Sequence, residues 1–381
     1  MQKIACFVTP HGFGHATRTI AVVEALQRII PDLHPHFFTT VPQSLFAETL
    51  KDFSYHPFSC DIGLVQKNGL QADLPATIKS LDSFLPFDEK LICDLAEQIE
   101  GCCLVLCDIA PLGIAVADKA EIPSVLIENF TWDWIYRAYL DDYPELQHTI
   151  TYLSRQYRKA GVHIRCQPYC GSTVGDFECG PIFRTIRSTR TEMRKRLSCT
   201  NRRTVLISMG GIDLQLPFIK QLPAIKDTFF ILTGQNKTKR CGKNILLLGR
   251  DSPYYHPDLI NASDLVVCKS GYSTITECVQ AGVPIVTVGR TSFPETGLTL
   301  LINSYISQKK QQLQQQTVPI SLQSFCAAHS PSKPADPTCY GERVTTFHSQ
   351  LSSDRDSLYL GLNNTVVTTI LLSHAKHSYN I

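Results

Sequence analysis

Residues 268–286, CKSGYSTITECVQAGVPIV, place a polar turn between two short apolar segments. The turn contains the hydroxyl side chains of Ser270, Ser273 and Thr274 beside Gly271, and one acidic residue, Glu277, follows it. Short apolar segments that are separated by an amphipathic stretch indicate buried strands joined by a helix. We therefore interpret this stretch as a strand, a polar turn, a helix and a second strand.

The same alternation extends in both directions from this stretch. In the second half of the chain, TVLISMGG, FFILTG, NILLLG, DLVVCKSG and VPIVTVG each predict a strand. The first 180 residues repeat the pattern with KIACFV, PHFFTT, CCLVLCD and PSVLIEN. Strands that alternate with helices pair in parallel, because a parallel connection needs a dozen or more residues. The sequence thus predicts an α/β fold with two Rossmann-like parallel-sheet domains facing a central cleft.

Two changes in composition suggest the domain limits. Residues 180–203 contain eight Lys or Arg residues and one acid, Glu192, which indicates a linker near 181–190. From about residue 300 the chain is rich in Gln and then in Ser, Pro and Thr, a composition that lacks enough apolar surface to offset chain entropy. We predict domains over 1–180 and 181–300 and an atypical, poorly ordered tail over 301–381.

The overall composition excludes several classes of protein. With 43% hydrophobic and 18% charged residues, the 381-residue chain has the composition of a soluble globular protein. A net charge of +2 argues against a nucleic-acid partner. We recognise no signal peptide or transmembrane run. The 15 cysteines lack regular spacing, which favours free thiols in a reducing cytoplasm and argues against a metal site.

Two glycine-containing loops follow predicted strands, at the edge where parallel α/β sheets bind ligands. In TPHGFGHATR, Gly12 and Gly14 allow a ligand to approach the backbone, and His15 stands at the start of a helix. A helix N-terminus disfavours imidazolium, so we expect a neutral His15 that can accept a proton. In SMGGID, Gly210 and Gly211 could present backbone amides to a phosphate. Taken alone, each loop is explained at least as well by a simple turn.

The turn at 270–274 is the third such loop. Its hydroxyls and the dipole of the following helix could bind an anion. The spacing of Thr274 and Glu277 also fits a capping box, in which both side chains only satisfy amides of the helix. Because candidate ligand loops occur at equivalent places in two similar domains, we favour a ligand site in the cleft between the domains.

GFGHATR after an N-terminal strand, together with SGYSTITE followed by AGVPIV, resembles the GT-B glycosyltransferases, and in particular the family 28-like enzymes of peptidoglycan-precursor synthesis. The likeness covers residues 1 to about 297. It implies that Glu277 holds the ribose diol of a nucleoside diphosphate sugar, that the turn lies beside the diphosphate, and that His15 lies near the reacting centre. The donor site predicted in this way comprises Gly210, Gly211, Ser270, Gly271, Ser273, Thr274 and Glu277.

The acceptor-side candidates are Gly12, Gly14, Asp108 and Trp132. Trp132 could stack on an acceptor ring, although packing in the core explains such a residue slightly better. Asp108 ends CCLVLCD and could orient an acceptor hydroxyl or cap the next helix. The basic segment 184–203 could touch anionic lipid, but a solvated linker helix is the favoured explanation.

Our hypothesis from the sequence is an inverting, metal-independent glycosyltransferase without a cofactor. The donor would be a UDP-sugar, and the acceptor a small-molecule or lipid-linked alcohol whose proton His15 takes. We expect a cytoplasmic protein with at most peripheral membrane contact. One alternative is a hydrolase or epimerase of nucleotide sugars, which share this fold. Another is a non-catalytic sugar-nucleotide binding module, because GFGHATR also resembles the N-terminal region of plant sugar kinases, where the module stands beside a kinase domain.

Overall fold

A computed structural model describes residues 1–68, 71–171, 175–209, 217–249, 252–288 and 293–294. The described residues form two mainly parallel sheets, which confirms the predicted α/β class. Gly210, Gly211 and the predicted tail over 301–381 lie outside the described residues. The domain limits at 180 and 300 stay predictions.

The first sheet is entirely parallel. Its strands are β1 (Gln2–Val8), β2 (Leu33–Thr39), β3 (Ser54–Pro57), β6 (Cys102–Asp108), β7 (Ser124–Glu128), β8 (Val162–Cys166) and β9 (Phe177–Cys179). They lie in the order β3-β2-β1-β6-β7-β8-β9. A separate antiparallel hairpin consists of β4 (Gln66–Asn68) and β5 (Gln71–Ala72). The parallel order brings the carboxyl ends of β1, β6 and β7 side by side at one edge.

Helices cover both faces of this sheet. They are α1 (Phe13–Ile29), α2 (Gln43–Ala47), α3 (Leu74–Phe84), α4 (Glu89–Gln98), α5 (Pro111–Ala120), α6 (Trp132–Arg137) and α7 (Leu146–Tyr157). In β1, Cys6 belongs to the core on the α1 side and Phe7 to the core on the α5 side, so the strand is buried on both faces. This explains why the strand has a continuous apolar sequence. We call this sheet with its helices the N-terminal lobe.

The second sheet contains all five strands that were predicted for this half of the chain. Its strands are β10 (Arg203–Ser208), β11 (Thr228–Gln235), β12 (Lys239–Cys241), β13 (Ile245–Gly249), β14 (Leu265–Lys269) and β15 (Ile285–Val288), in the order β12-β13-β11-β10-β14-β15. The short edge strand β12 was not predicted and pairs antiparallel with β13. The helices are α8 (Arg190–Arg196), a 3-10 helix (Pro217–Ala224), α9 (His256–Ala262) and α10 (Tyr272–Ala281). We call this unit the C-terminal lobe.

The basic segment between the lobes differs from the solvated helix that the sequence suggested. Helix α8 begins only at Arg190, and its capping box joins Thr189 to Glu192, the single acid of the segment. Before the helix, Arg184 is only 3% exposed and contacts carboxylates of both lobes. The prediction of a solvated helix is therefore wrong for Arg184, because buried carboxylates compensate its charge.

Candidate active site

A cavity of about 380 Å³ lies between the two lobes. It is lined by the loop that follows β1 and by the turn that follows β14, and both loops lie at carboxyl ends of parallel strands. Eight of the sequence-predicted site residues line it: Gly12, Gly14, His15, Ser270, Gly271, Ser273, Thr274 and Glu277. Gly12, Gly14 and His15 therefore share one crevice with Glu277 and the turn at 270–274.

His15 lies in the first turn of α1 and is 7% exposed. Helix α1 begins after Gly12, whose φ of 83° favours glycine. The Nδ1 atom of His15 is 3.0 Å from Oδ1 of Asp108, which ends β6 beside β1. Arg18 Nη2 also lies 3.3 Å from Nδ1, but it donates to Asp108 Oδ1 at the shorter distance of 2.5 Å. Because a carboxylate only accepts hydrogen bonds, the contact with Asp108 assigns the His15 proton to Nδ1 and leaves Nε2 as the basic nitrogen.

Asp108 is held by more than His15. Arg18 Nε donates to Asp108 Oδ2 at 2.8 Å, and Thr19 Oγ1 donates to the same oxygen at 3.1 Å. Asp108 is 1% exposed and is not among the described residues that line the cavity. Neither role predicted for it, orienting an acceptor hydroxyl or capping the next helix, is correct. Its position at the end of β6 directs it to α1, where it orients His15.

The charges of this group explain the protonation state of His15. Burial lowers the pKa of His15, and the charges of Arg18 and Lys269 lower it further, whereas Asp108 raises it; the net shift is downward. Burial alone would raise the pKa of Asp108, but Arg18 and the hydrogen bond from His15 hold it below its usual value. The carboxylate is ionised, and Arg18 already compensates its negative charge. The imidazole of His15 therefore stays neutral.

We expect the His15 imidazole to titrate below pH 6.5, its ordinary pKa. NMR of the ring protons, assigned by comparison with His15→Gln, measures this directly. The unfolded chain takes up the proton at higher pH than the folded protein, so the stability that His15 contributes is lost as pH falls below about 6.5. A measured pKa above 6.5 would mean that Asp108 dominates over burial and Arg18.

Glu277 does not take part in a capping box. Helix α10 has Gly271 as its N-cap, with no side-chain cap among the described residues, and Thr274 lies inside the first turn. Glu277 Oε1 accepts from Arg184 Nε at 3.0 Å, and Oε2 is 2.9 Å from His256 Nδ1. Burial opposes ionisation, but these two partners hold the pKa of Glu277 below its ordinary value. The cavity therefore contains a buried, oriented carboxylate.

The hydroxyl-rich turn contacts the N-terminal lobe directly. Ser273 Oγ donates to the carbonyl oxygen of Gly14 at 3.0 Å and also hydrogen-bonds the hydroxyl of Thr17. A Cβ atom added to Gly12 would lie 3.9 Å from Nζ of Lys269, so this ammonium also reaches the opposite lobe. Lys269 and the N-terminus of α10 together make this part of the cavity favourable for an anion.

Trp132 does not line the cavity. It is 2% exposed, its Nε1 donates to Asp61 at 3.0 Å, and its ring stacks on Tyr136. Of the two explanations for Trp132, packing in the core, which was slightly favoured, agrees with the structure and stacking on an acceptor does not, because α6 begins at Trp132 and packs it into the core on the α5 side. Phe130 is the aromatic residue beside His15, with ring centroids 5.7 Å apart.

Sequence reasoning missed several residues of the cavity. Arg18 follows His15 by three positions, which places both on one helical face and was a usable signal. Asn129 lines the cavity; its Oδ1 accepts from Arg18 at 2.6 Å, and its buried Nδ2 has no hydrogen-bond partner among the described residues. Arg184 and His256 had no sequence signal, since their roles depend on Glu277.

The described residues contain no group of three or more His, Cys, Asp or Glu residues placed to hold a metal ion. No described helix has the length and apolarity needed to span a membrane.

Comparison with known proteins identifies relatives of both lobes. Residues 218–295 match the glycosyltransferase family 28 C-terminal domain. L-arabinokinase of Arabidopsis thaliana is 28% identical over 305 residues, which cover 76% of this chain and 28% of the kinase. The UDP-N-acetylglucosamine--N-acetylmuramyl-(pentapeptide) pyrophosphoryl-undecaprenol N-acetylglucosamine transferase of Desulforudis audaxviator (strain MP104C) is 30% identical over 132 residues, 28% of this chain and 34% of the transferase. The chain thus spans about a third or less of the length of these curated relatives.

A solved structure supports the fold assignment. Phytolacca americana UGT2, complexed with UDP-2fluoro-glucose and pterostilbene, is similar with a TM-score of 0.52 and 14% identity, covering 100% of both chains. The fold is GT-B, and the resemblance to family 28 glycosyltransferases is confirmed for residues 218–295.

Proposed function

We propose that the protein is a glycosyltransferase that moves a sugar from a nucleoside diphosphate sugar to an acceptor hydroxyl, with inversion at the anomeric carbon. The main support is the shared cavity, which is lined by His15 of one lobe and by Glu277 of the other. The match of residues 218–295 to a glycosyltransferase domain supports the same class. We propose UDP as the nucleotide because both a transferase relative and a structural neighbour bear it in their descriptions.

The donor would bind mainly to the C-terminal lobe. A carboxylate has about four acceptor positions, and Glu277 uses two of them for Arg184 and His256. The other two would accept the ribose hydroxyls. The diphosphate would lie on the turn at Ser270, Gly271 and Thr274, beside the N-terminus of α10. Gly210 and Gly211 remain proposed contacts from the loop after β10.

The transfer step uses groups of both lobes. The acceptor oxygen attacks the anomeric carbon while His15 Nε2 takes its proton, and the bond to the β-phosphate oxygen breaks on the opposite face. Asp108 stabilises the imidazolium that forms, as the carboxylate of a catalytic triad does. Lys269 and the α10 N-terminus stabilise the departing diphosphate, so the proposed step uses no metal ion and no cofactor.

The acceptor would bind on the N-terminal lobe, beside Asn129. The buried Asn129 Nδ2 can donate a hydrogen bond to an acceptor oxygen beside the reacting hydroxyl. The acceptor would be a small-molecule or lipid-linked alcohol. We place the reaction in the cytoplasm, with at most peripheral contact to a membrane, and the free cysteines among the described residues are compatible with that compartment.

The proposal is tested by incubating the protein with UDP-glucose, UDP-galactose and UDP-N-acetylglucosamine, each with and without a panel of alcohols. A glycosyltransferase releases UDP quickly only when an acceptor is present. Fast release without acceptor indicates a hydrolase or epimerase instead. A protein that fails to bind UDP in calorimetry contradicts the proposal.

The match to L-arabinokinase favours a second candidate, a sugar-nucleotide binding module that works beside a sugar kinase. This match covers 305 residues, considerably more than the 78 residues from 218 to 295. Binding of UDP or a UDP-sugar without turnover for any acceptor in the panel would support this candidate over the transferase.

Glu277→Ala is expected to weaken UDP binding by about tenfold or more, because hydrogen bonds to a charged group contribute about 1.5–3 kcal/mol. Isothermal titration calorimetry with UDP measures the effect. Thr276→Ala is the matched control: Thr276 is 1% exposed on the same helix, bonds the carbonyl of Ile182, and does not line the cavity. A folded Glu277→Ala variant with unchanged UDP affinity would remove Glu277 from the donor site.

A further inference from the structure

The buried Arg184 connects the proposed donor carboxylate to the opposite lobe. Its Nε donates to Glu277 Oε1 at 3.0 Å, and its Nη1 donates to Glu48 Oε2 at 3.2 Å. Glu48 directly follows α2 of the N-terminal lobe and also lines the cavity. We call this three-residue arrangement the Arg184 bridge. One guanidinium therefore compensates carboxylates of two lobes at the edge of the cavity.

Neighbouring contacts hold the bridge in place. Arg187 Nη1 donates to the backbone carbonyl of Glu48 at 2.7 Å, and its guanidinium lies 4.1 Å from the ring centre of Tyr255. Tyr255 directly precedes His256, the second partner of Glu277. Arg184 thus orients one oxygen of Glu277. His256 orients the other, and it directly follows Tyr255, which Arg187 contacts.

We propose that Arg184 is a positioning residue that couples nucleotide binding at Glu277 to contact between the lobes through Glu48. This inference rests on the proposed function, because it takes Glu277 as the ribose-binding group. When Glu48 is ionised, Arg184 divides its hydrogen bonds between two carboxylates. When Glu48 is neutral, Glu277 alone balances the buried guanidinium, and its oxygens become less available to ribose hydroxyls. Such coupling is reciprocal, so bound nucleotide also strengthens the contact between the lobes.

A double-mutant cycle separates this coupling from a direct effect of Glu48 on the diphosphate. UDP affinity is measured by calorimetry for the unmodified protein, Glu48→Gln, Glu277→Gln and the double variant. A direct electrostatic effect of Glu48 on UDP is the same in both backgrounds. Coupling through Arg184 makes the effect of Glu48→Gln depend on Glu277, and we expect at least a threefold departure from additivity.

Two further variants control the experiment. Glu24→Gln removes another carboxylate of the N-terminal lobe at the same interface, 3.9 Å from Arg187. Its effect on UDP affinity is expected to be additive with that of Glu277→Gln. Arg184→Lys keeps the charge but cannot place two fixed N–H groups on two carboxylates, so the non-additivity should disappear in its background. Urea unfolding of each variant shows that the compared proteins are folded.

The outcomes are distinguishable from a failure of the proposed function. If the unmodified protein binds UDP but Glu48→Gln and Glu277→Gln act additively, the coupling is overturned and the donor site stands. If the unmodified protein does not bind UDP, the donor site is overturned and the coupling with it. Non-additivity that persists in Arg184→Lys would assign the coupling to another residue and overturn the role of Arg184.

Discussion

His15→Ala is expected to lower the rate of sugar transfer by about 10²–10⁴ and to leave UDP affinity unchanged. The His15 imidazole lines the cavity, and its Nδ1 is held by Asp108, which leaves Nε2 as the basic nitrogen. Glu277 and the turn after β14, which would bind the nucleotide, belong to the other lobe. Initial rates at saturating donor, together with calorimetry, measure the two effects separately.

A conservative replacement sharpens this test. His15→Gln keeps a polar side chain of similar length but cannot accept a proton, so it should be as slow as the alanine variant. His34→Ala is the matched control, because His34 contacts Asp52 and Ser54 and does not line the cavity. Turnover within threefold of the unmodified protein in His15→Gln would exclude His15 as the general base.

Asp108→Asn is expected to lower the free energy of unfolding by about 3–5 kcal/mol, since it leaves the buried Arg18 charge uncompensated. Both side chains are 1% exposed, so water cannot replace the lost carboxylate. The amide also replaces one of the two acceptor oxygens by a donor, so the tautomer of His15 is no longer fixed and transfer should slow in the fraction that remains folded. Urea unfolding followed by circular dichroism measures the stability change.

An exposed ion pair provides the comparison for Asp108. Asp118 is 3.0 Å from Nζ of Lys159, and its side chain is 60% exposed. Asp118→Asn should change the free energy of unfolding by less than about 1 kcal/mol, because solvent screens such pairs. Equal effects of the two substitutions would show that Arg18 finds another counter-charge when Asp108 is lost.

Strands β1, β2, β6 and β7 of the first sheet and five strands of the second could be predicted, because a strand buried on both faces has a continuous apolar sequence. Strands β3, β8 and β9 of the first sheet were not predicted. The edge strand β12, with the sequence KRC, lacks that signal: its pairing with β13 depends on a neighbour and not on its own residues. The sequence placed His15 at the start of a helix, and helix α1 begins at Phe13, two residues before it.

The cavity loops were also predictable, since a ligand loop at the end of a parallel strand has recognisable residues. The residues that these loops contact could not be predicted. Trp132 and Asp108 both follow or end predicted strands and were candidates for a site, yet α6 places Trp132 in the core and the sheet order places Asp108 beside α1. Each outcome depends on which element packs against that residue.

The sequence by itself determined the type and order of the elements and the loops that reach the cavity, because hydrophobic period and turn chemistry are local properties. Only the tertiary structure decided which ionised groups meet. The pairs His15–Asp108 and Arg184–Glu277 are each separated by 93 residues. Their contact requires a particular strand order in one case and a particular approach of two lobes in the other. The low exposure of these groups then makes each pairing decisive for charge and protonation.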